Sequence, residues 1–516
     1  MKGSKWGGGC YCIHMHHSGL KSRFRENAFS AWCLVFAFLR LFLFNSAYPF
    51  FNARDEELHY DMVVWSSGFH IENSLHRYDP RSARDIVLYG SPEYLHSPAE
   101  YPGGRYPLPV FRLPEARQKM EIRKRAGEWT GQLNRISLRP PLYYLLVSAW
   151  EKAGVLFGIK GGYLLYWLRY FNIPIYLAFM LIGIYFARRL PGNDPLFRLG
   201  IPFMLAVFPQ DVFYALCADV PSALLVGISF ILLTGCTGNP ARGYLHYALL
   251  GLSISMSVLS KFTNIPVLAG MLLVNVPSFR SQWKRRGGPG KITVAGLIAT
   301  LPVAIWLARN ALLTGGITAT SGEAKLAMIG MKPLREWLFH PVFTPVGAWD
   351  FVAQTIIKYW RGGIIWGGKA PEIPAYSYLY AACTLAMIGL SLLPLLRKPA
   401  PPEREKMLVF SSLGAIGGGL LFLAVYSAAL DDWWKPGPSK ILIGVTEGRF
   451  LLGTLLPFTY LFLKGLGKAS AIFWRGQNRR YAALAVLFLG GMLSVAVQIL
   501  TVIPLFGSQY NWFHLP

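Results

Sequence analysis

This chain is poor in charge, and in acids above all. Only 15% of its 516 residues are charged, where soluble domains carry nearer about 25%. That shortage excludes a soluble protein of this length, which would need polar surface around every domain. Acids number 26 against 51 basic residues. In a soluble chain a net charge of +25 would suggest nucleic acid. No zinc-finger spacing, RNP-like motif or basic helix supports that partner. Nor is there a GxGxxG, Walker A or zincin motif, which removes the usual nucleotide and zinc-protease signatures. Cysteine is scarce: Cys10, Cys12, Cys33, Cys217, Cys236 and Cys383. The last four lie in or beside apolar segments, where Cys behaves as a small hydrophobe, and no disulfide framework follows. Cys10, Cys12, His14, His16 and His17 crowd the N-terminus. They read as a tail, or as sequence ahead of a start at Met15, with metal binding as the alternative.

Apolar residues are abundant, at 53%, and they come in long runs. A membrane helix needs about 20 of them. Eleven stretches meet or approach that length: about 28–50, 164–187, 197–214, 217–236, 244–260, 263–278, 292–308, 376–396, 408–430, 449–463 and 481–504. The fold expected is therefore an all-α polytopic membrane protein with 11 spans, or up to 13 if further segments cross. Residues 1–27 form a cytoplasmic tail, 28–505 a single transmembrane domain, and 506–516 an outer tail. Lys21, Arg23 and Arg25 precede the first span and hold its start inside. Alternation then puts every basic cluster between spans on the same side: Arg188, Arg189 and Arg198; Arg242; Arg280 to Lys291; Arg397 to Lys406; and Lys464 to Arg480. This pattern requires 141–158, which contains Glu151 and Lys152, to lie at the outer interface without crossing. Three segments then face outward, 51–163, 309–375 and 431–448. Long loops of this kind are usually functional, so the site is expected on the outer face of a plasma membrane.

The first outer segment opens on Asn52-Ala53-Arg54-Asp55-Glu56-Glu57-Leu58-His59-Tyr60-Asp61. On a helix Asp55 and Glu56 share a face with His59. Carboxylates at a low-dielectric boundary hold their protons more tightly and suit general-base work. A solvated loop start with a few ion pairs is the plainer reading. Asp211 and Asp219 flank another outward turn. They suit orienting a base, holding an acceptor or binding a divalent cation, and Asp219 also suits a helix cap. Arg139, Lys261, Arg309 and Arg449 stand at outer ends of apolar segments, where topology does not need them. One alone is explained by snorkelling. Four together form an expected anion site for a lipid phosphate. Trp349, Tyr359, Trp360, Trp366, Trp433 and Trp434 suit an aromatic belt, with sugar stacking as the alternative. Gly362-Gly363 and Gly367-Gly368 frame a tight re-entrant turn.

Four pieces carry a family resemblance: Asp55-Glu56-Glu57-Leu58-His59, Arg139-Pro140-Pro141-Leu142-Tyr143-Tyr144, Tyr359 through Gly367, and Glu447-Gly448-Arg449-Phe450. In order and spacing they resemble the GT-C class of membrane glycosyltransferases. They are most similar to a bacterial branch with a first-loop Asp-Glu-x-x-His motif. Glu57 stands where that motif usually has proline, and Arg139 where it has histidine. The resemblance implies an inverting transferase with a polyprenyl-phosphate sugar donor and a first-loop acidic base. In that reading Asp55 is the base, Glu56 its alternative and His59 orients it, while Arg139, Lys261, Arg309 and Arg449 bind the donor phosphate. A transporter or flippase of lipid-linked saccharides, and a non-catalytic envelope scaffold, are the rival expectations. No internal repeat of the kind common in transporters is visible.

Overall fold

The structure is a computed structural model describing residues 11–51, 55–67, 76–239, 241–314, 333–396, 399, 401–429, 445–474, 476 and 478–516, with side chains from residue 24 (Thr314 excepted). The N-terminal Cys and His side chains, Asn52 to Arg54, Arg397, Lys398, Trp433, Trp434, Arg475 and much of the second and third outer segments lie outside the described residues. Regular structure among those residues is helical, apart from isolated bridges such as Phe50 to Gly90.

In chain order the helices begin with α1 (Tyr11–Ala47), α2 (Glu56–Ser66), α3 (Pro80–Tyr89), α4 (Glu115–Thr130), α5 (Leu142–Leu156), α6 (Gly162–Tyr170), α7 (Asn172–Arg189), α8 (Pro195–Val207) and α9 (Val220–Gly238). They continue with α10 (Tyr244–Ser260), α11 (Asn264–Val274), α12 (Val276–Trp283), α13 (Gly288–Thr314), α14 (Leu334–Trp337), α15 (Pro345–Arg361), α16 (Pro374–Leu396), α17 (Glu403–Ala429), α18 (Leu455–Phe473) and α19 (Asn478–Phe506). Proline at the first turn starts several of them, α3, α8, α9 and α15 included. There its missing N–H has no intrahelical partner to lose.

Eight helices among the described residues are long and apolar enough to cross a membrane: Phe24–Ala47, Gly162–Arg189, Val220–Gly238, Gly288–Leu313, Pro374–Leu396, Glu403–Ala429, Gly448–Phe473 and Asn478–Phe506. Three shorter apolar helices, Pro195–Val207, Tyr244–Ser260 and Asn264–Val274, occupy the other expected positions. The eleven expected spans are thus matched in place, but only eight in length. At about 1.5 Å per residue, the shorter ones rise less than the roughly 30 Å hydrocarbon core. The segment expected at the interface is α5, which packs on α2 and α6. Its Trp150 ring stacks on Trp167 with centroids 4.3 Å apart, and its Glu151 accepts from Arg81 at 2.5 Å.

The helices approach one another through small residues. An added Cβ on Gly270 of α11 would meet the Gly414 carbonyl of α17 at 1.9 Å, and one on Gly418 would meet the Pro266 carbonyl at 2.2 Å. Gly414 and Gly418 are four apart, so they share a face, and this is the small-xxx-small contact that lets membrane helices touch backbone to backbone. Farther in, Gly183 and Gly227 admit Leu205, Phe179 and Leu456, which pack α7, α8, α9 and α18 into the centre of the bundle. The described acidic residues begin at Asp55, shortly after α1 ends at Ala47.

Candidate active site

The acidic run divides its carboxylates among different tasks. Asp55 stands at the start of α2 with φ 62° and ψ 30°, a left-handed conformation, and its side chain makes no capping bond. Strained backbone of this kind tends to persist at functional sites. Its carboxylate is held between Arg135 at 2.7 Å and Arg449 at 3.1 Å. Burial works to raise its pKa, but the charges of Arg449, Arg135 and Arg139 outweigh it and hold the group well below the usual carboxylate range.

Glu56 is fully buried. Arg169 grips it in a fork, with Nε and Nη2 each 2.6 Å from one carboxylate oxygen. The backbone N–H groups of Phe51 and Leu216 also donate to it, at 3.0 Å and 2.9 Å. Arg169 spends further donors on the Tyr48, Pro49 and Asn45 carbonyls at the end of α1. Glu56 therefore fastens α2 to α6 and the end of α1. Every lone pair that could take a proton already faces a donor, so the geometry does not suit it to the base role expected for it as an alternative to Asp55.

His59 does not orient Asp55 through its ring. Its Nδ1 lies 2.9 Å from the Tyr144 hydroxyl and its Nε2 3.6 Å from the Cys217 sulfur. Burial first, and then the charge of Arg139, keep its pKa well below the ordinary histidine value, so it is a neutral imidazole. Cys217 in turn donates to Asp219 at 2.9 Å, and Asp219 is paired with Lys261. Tyr144, His59, Cys217, Asp219 and Lys261 thus form one chain of polar contacts. It runs from the first outer segment to the break between α10 and α11. The cap role suited Asp219 by position, but its side chain makes no cap bond and holds the lysine instead.

Three of the four expected anion-binding cations converge here. The charge of Arg139 acts on Asp55 and Tyr144, Lys261 holds Asp219, and Arg449 holds Asp55 while its charge also acts on Asp219. Lys261 and Arg449 flank the same ring, Phe450, at 4.8 Å and 5.4 Å. Gly448 lets this segment pack directly on the backbone of α15, because an added Cβ would run into the Tyr359 backbone nitrogen. Arg309 is placed differently. It lies over Trp306 at 4.6 Å and donates to Asn310 on α13, and it is not among the principal charges acting on Asp55 or Asp219.

Asp211 serves the glycine turn. It accepts from the N–H groups of Gly363 and Ile364 at 2.9 Å and 2.7 Å. Gly362, with φ 81°, lies so close that an added Cβ would overlap the carboxylate. Gly367 and Gly368 donate to the Glu93 and Tyr94 carbonyls, which locks the expected turn to the first outer segment. The two acids expected to share an acceptor or cation are therefore engaged by different partners. Among the described residues no group of three or more His, Cys, Asp and Glu is placed to hold a metal ion. Tyr359 and Trp360 are buried, and Trp360 stacks on Tyr380 at 4.9 Å, so neither presents a face to a sugar.

Above Asp55 opens a cavity of about 950 Å³, lined by Asp55, Glu57, His96, Tyr101, Arg125, Gly363 and Tyr510 among others. Glu57 is the carboxyl that motif reading passed over. Half-buried in this wall, it is pushed up to about 7 by burial first and then by the negative charge of Asp55. Arg135 and Arg169 were also missed. Arg169 carried a signal, being an arginine inside an otherwise apolar run, whereas the exposed Arg135 carried none.

A family model described as "Predicted membrane protein (DUF2142)" matches residues 36–436. The chain belongs to that family. It is a multi-pass membrane protein, and the match takes in the acidic run, Arg139, Asp211, Asp219, Lys261 and Arg309, ending ahead of Arg449. A comparison with curated proteins found no match. Crystal structures of ArnT from Cupriavidus metallidurans, one bound to undecaprenyl phosphate and one in the apo state, are distantly similar. Identity is 11% in both, over 92% and 94% of this chain and 76% of theirs, with TM-scores of 0.41 and 0.43. Scores this low transfer neither a site nor an activity to this family member.

Proposed function

We propose that this protein is a membrane glycosyltransferase that moves a sugar from a polyprenyl-phosphate-linked donor to an envelope lipid, glycan or protein acceptor on the outer face of the membrane. One observation carries the reading: Arg139, Lys261 and Arg449 come from three distant parts of the chain, and their charges act on two carboxylates, Asp55 and Asp219, beside the ends of apolar helices. A cationic cluster at that depth suits the phosphate of a lipid carrier, and the adjoining cavity has room for a sugar and an acceptor. Asp55 is the proton acceptor in this reading. At rest the arginines keep it too weak a base. A donor phosphate entering the cluster competes for Arg449, and as that ion pair loosens the Asp55 carboxylate becomes more basic. The acceptor hydroxyl then attacks the anomeric carbon. Its proton passes to Asp55, and the carbon–oxygen bond to phosphate breaks with its electron pair leaving on the polyprenyl phosphate. Asp219 keeps Lys261 aimed, and His59 braces Tyr144 and Cys217 beneath them.

The test uses purified protein in lipid nanodiscs with polyprenyl-phosphate sugars and a mixed envelope acceptor, measuring release of free polyprenyl phosphate. Asp55→Asn should lower turnover by about 10²–10⁴-fold, the usual share of a general base, with donor binding retained. Arg449→Met and Lys261→Met should weaken donor binding first. Movement of intact donor across vesicles with no release would replace this reading with that of a flippase.

A further inference from the structure

A second polar cavity lies at the opposite end of the bundle, among the turns where basic residues collect. It measures about 270 Å³ and sits between the turn before α8, the start of α17, the end of α18 and the start of α19. Its polar wall holds Lys464, Lys468, Arg479 and Arg480 against two acids, Asp194 and Glu405. Both acids are already paired: Glu405 with the buried Lys464, and Asp194 with Arg480 at 3.7 Å. Four basic side chains therefore line the recess against two acids. Lys468 and Arg479 stand at its exposed rim, while Leu190, Phe197 and Leu463 form an apolar wall.

We infer that this cavity binds the phosphate headgroup of an anionic glycerophospholipid, with the apolar wall taking the upper part of an acyl chain. A general need for positive charge on this face explains basic residues in the turns. It does not explain their gathering from two helix ends around a recess that also has an apolar side. Basic pockets between membrane helices on the cytoplasmic side suit lipid headgroups, and arginine forks suit phosphate oxygens. The tie from Lys464 to Glu405 joins α18 to α17, and α17 packs on α11. An occupied pocket therefore stabilises the inner end of the bundle, by mass action on the folded state. The inference does not depend on the glycosyltransferase reading, since it concerns the other end of the molecule.

The experiment is native mass spectrometry of the full chain, delipidated in detergent and then offered phosphatidylglycerol, phosphatidylcholine or inorganic phosphate. The expected result is retention of phosphatidylglycerol over phosphatidylcholine, cut about tenfold or more in the combined variant Lys468→Gln, Arg479→Gln, Arg480→Gln. These side chains are exposed, so the variant should fold, which a monodisperse elution profile checks. A control variant with equal charge change, Lys284→Gln, Arg285→Gln, Arg286→Gln, uses exposed residues outside the pocket and should retain the lipid. Equal loss in both variants reduces the effect to general surface charge and overturns the site. So does equal retention of the two lipids, or no retention of either. Displacement of the lipid by millimolar inorganic phosphate assigns the pocket to a soluble anion and overturns the lipid reading.

Discussion

Glu56→Gln and Asp55→Asn remove neighbouring carboxylates of nearly the same shape, yet their consequences should be opposite. Glu56 and Arg169 are both fully buried and joined in a fork, with further donors from Phe51 and Leu216 completing the carboxylate's shell. Glutamine keeps one acceptor oxygen and presents an NH₂ group to a donor that needs the other. It also leaves the Arg169 guanidinium charged and buried without its counter-ion. Breaking a buried pair from one side typically destabilises by about 3–5 kcal/mol. With about 2.1 cal/mol/K of unfolding entropy per residue, a chain of 516 residues melting as one unit should lose on the order of 3–5 °C. Asp55 is partly exposed, with 24% of its side-chain surface accessible. Its asparagine variant leaves Arg135 near solvent and Arg449 still beside Glu447. Its melting temperature should fall less than that of Glu56→Gln. The assay is thermal unfolding in detergent by intrinsic fluorescence, run beside the release assay. Glu56→Gln should lower stability and protein level together, whereas Asp55→Asn should lower turnover with the smaller loss of stability. An unchanged melting temperature for Glu56→Gln, with turnover abolished, would refute the structural assignment of Glu56 and return it to the reaction centre.

Glu57 offers a pH test. Its folded-state pKa is raised from 4.5 to about 7, so the folded protein holds a proton that the unfolded chain releases between those values. By linkage this contribution to stability is present at acidic pH and is lost as pH rises through 7. The Glu57→Gln variant should show a flatter melting temperature between pH 5 and 8 than the wild type; parallel curves would contradict the assignment. His59 acts with the opposite sign, because its pKa is depressed and acidification must charge a buried ring. Gly270→Val should abolish a monodisperse elution profile, since its side chain would run into the Gly414 carbonyl. A stable, active valine variant would show that α11 and α17 do not meet as described.

Much of the membrane architecture is legible in the sequence. Runs of about 20 apolar residues have few alternatives to helices in a bilayer, and each of the eleven expected stretches contains a helix. What run length could not convey was that Pro195–Val207, Tyr244–Ser260 and Asn264–Val274 are short. They end where Pro209, Lys261 and Asn275 interrupt or cap them. The break at Lys261 is the one that carries the lysine to Asp219.

At the site, the sequence by itself determined which groups are available: an acidic run just past the first span, and cations at helix ends where topology does not ask for them. Residue type and hydropathy suffice for that, because a charge beside a long apolar run must lie near a membrane boundary. Which acid meets which cation was decided only by the tertiary structure. Asp55, Glu56 and Glu57 are consecutive and chemically alike, but Asp55 is left-handed ahead of the helix and the two glutamates follow about 100° apart on it, so Asp55 meets Arg135 and Arg449, Glu56 meets Arg169, and Glu57 joins Asp55 in the cavity wall. Arg169 lies 113 positions from Glu56, and Arg449 lies 394 from Asp55. Pairings that distant arise from how the helices pack, which is set by close approaches such as Gly270 on Gly414 and Gly448 on Tyr359, and no local pattern in the chain encodes them.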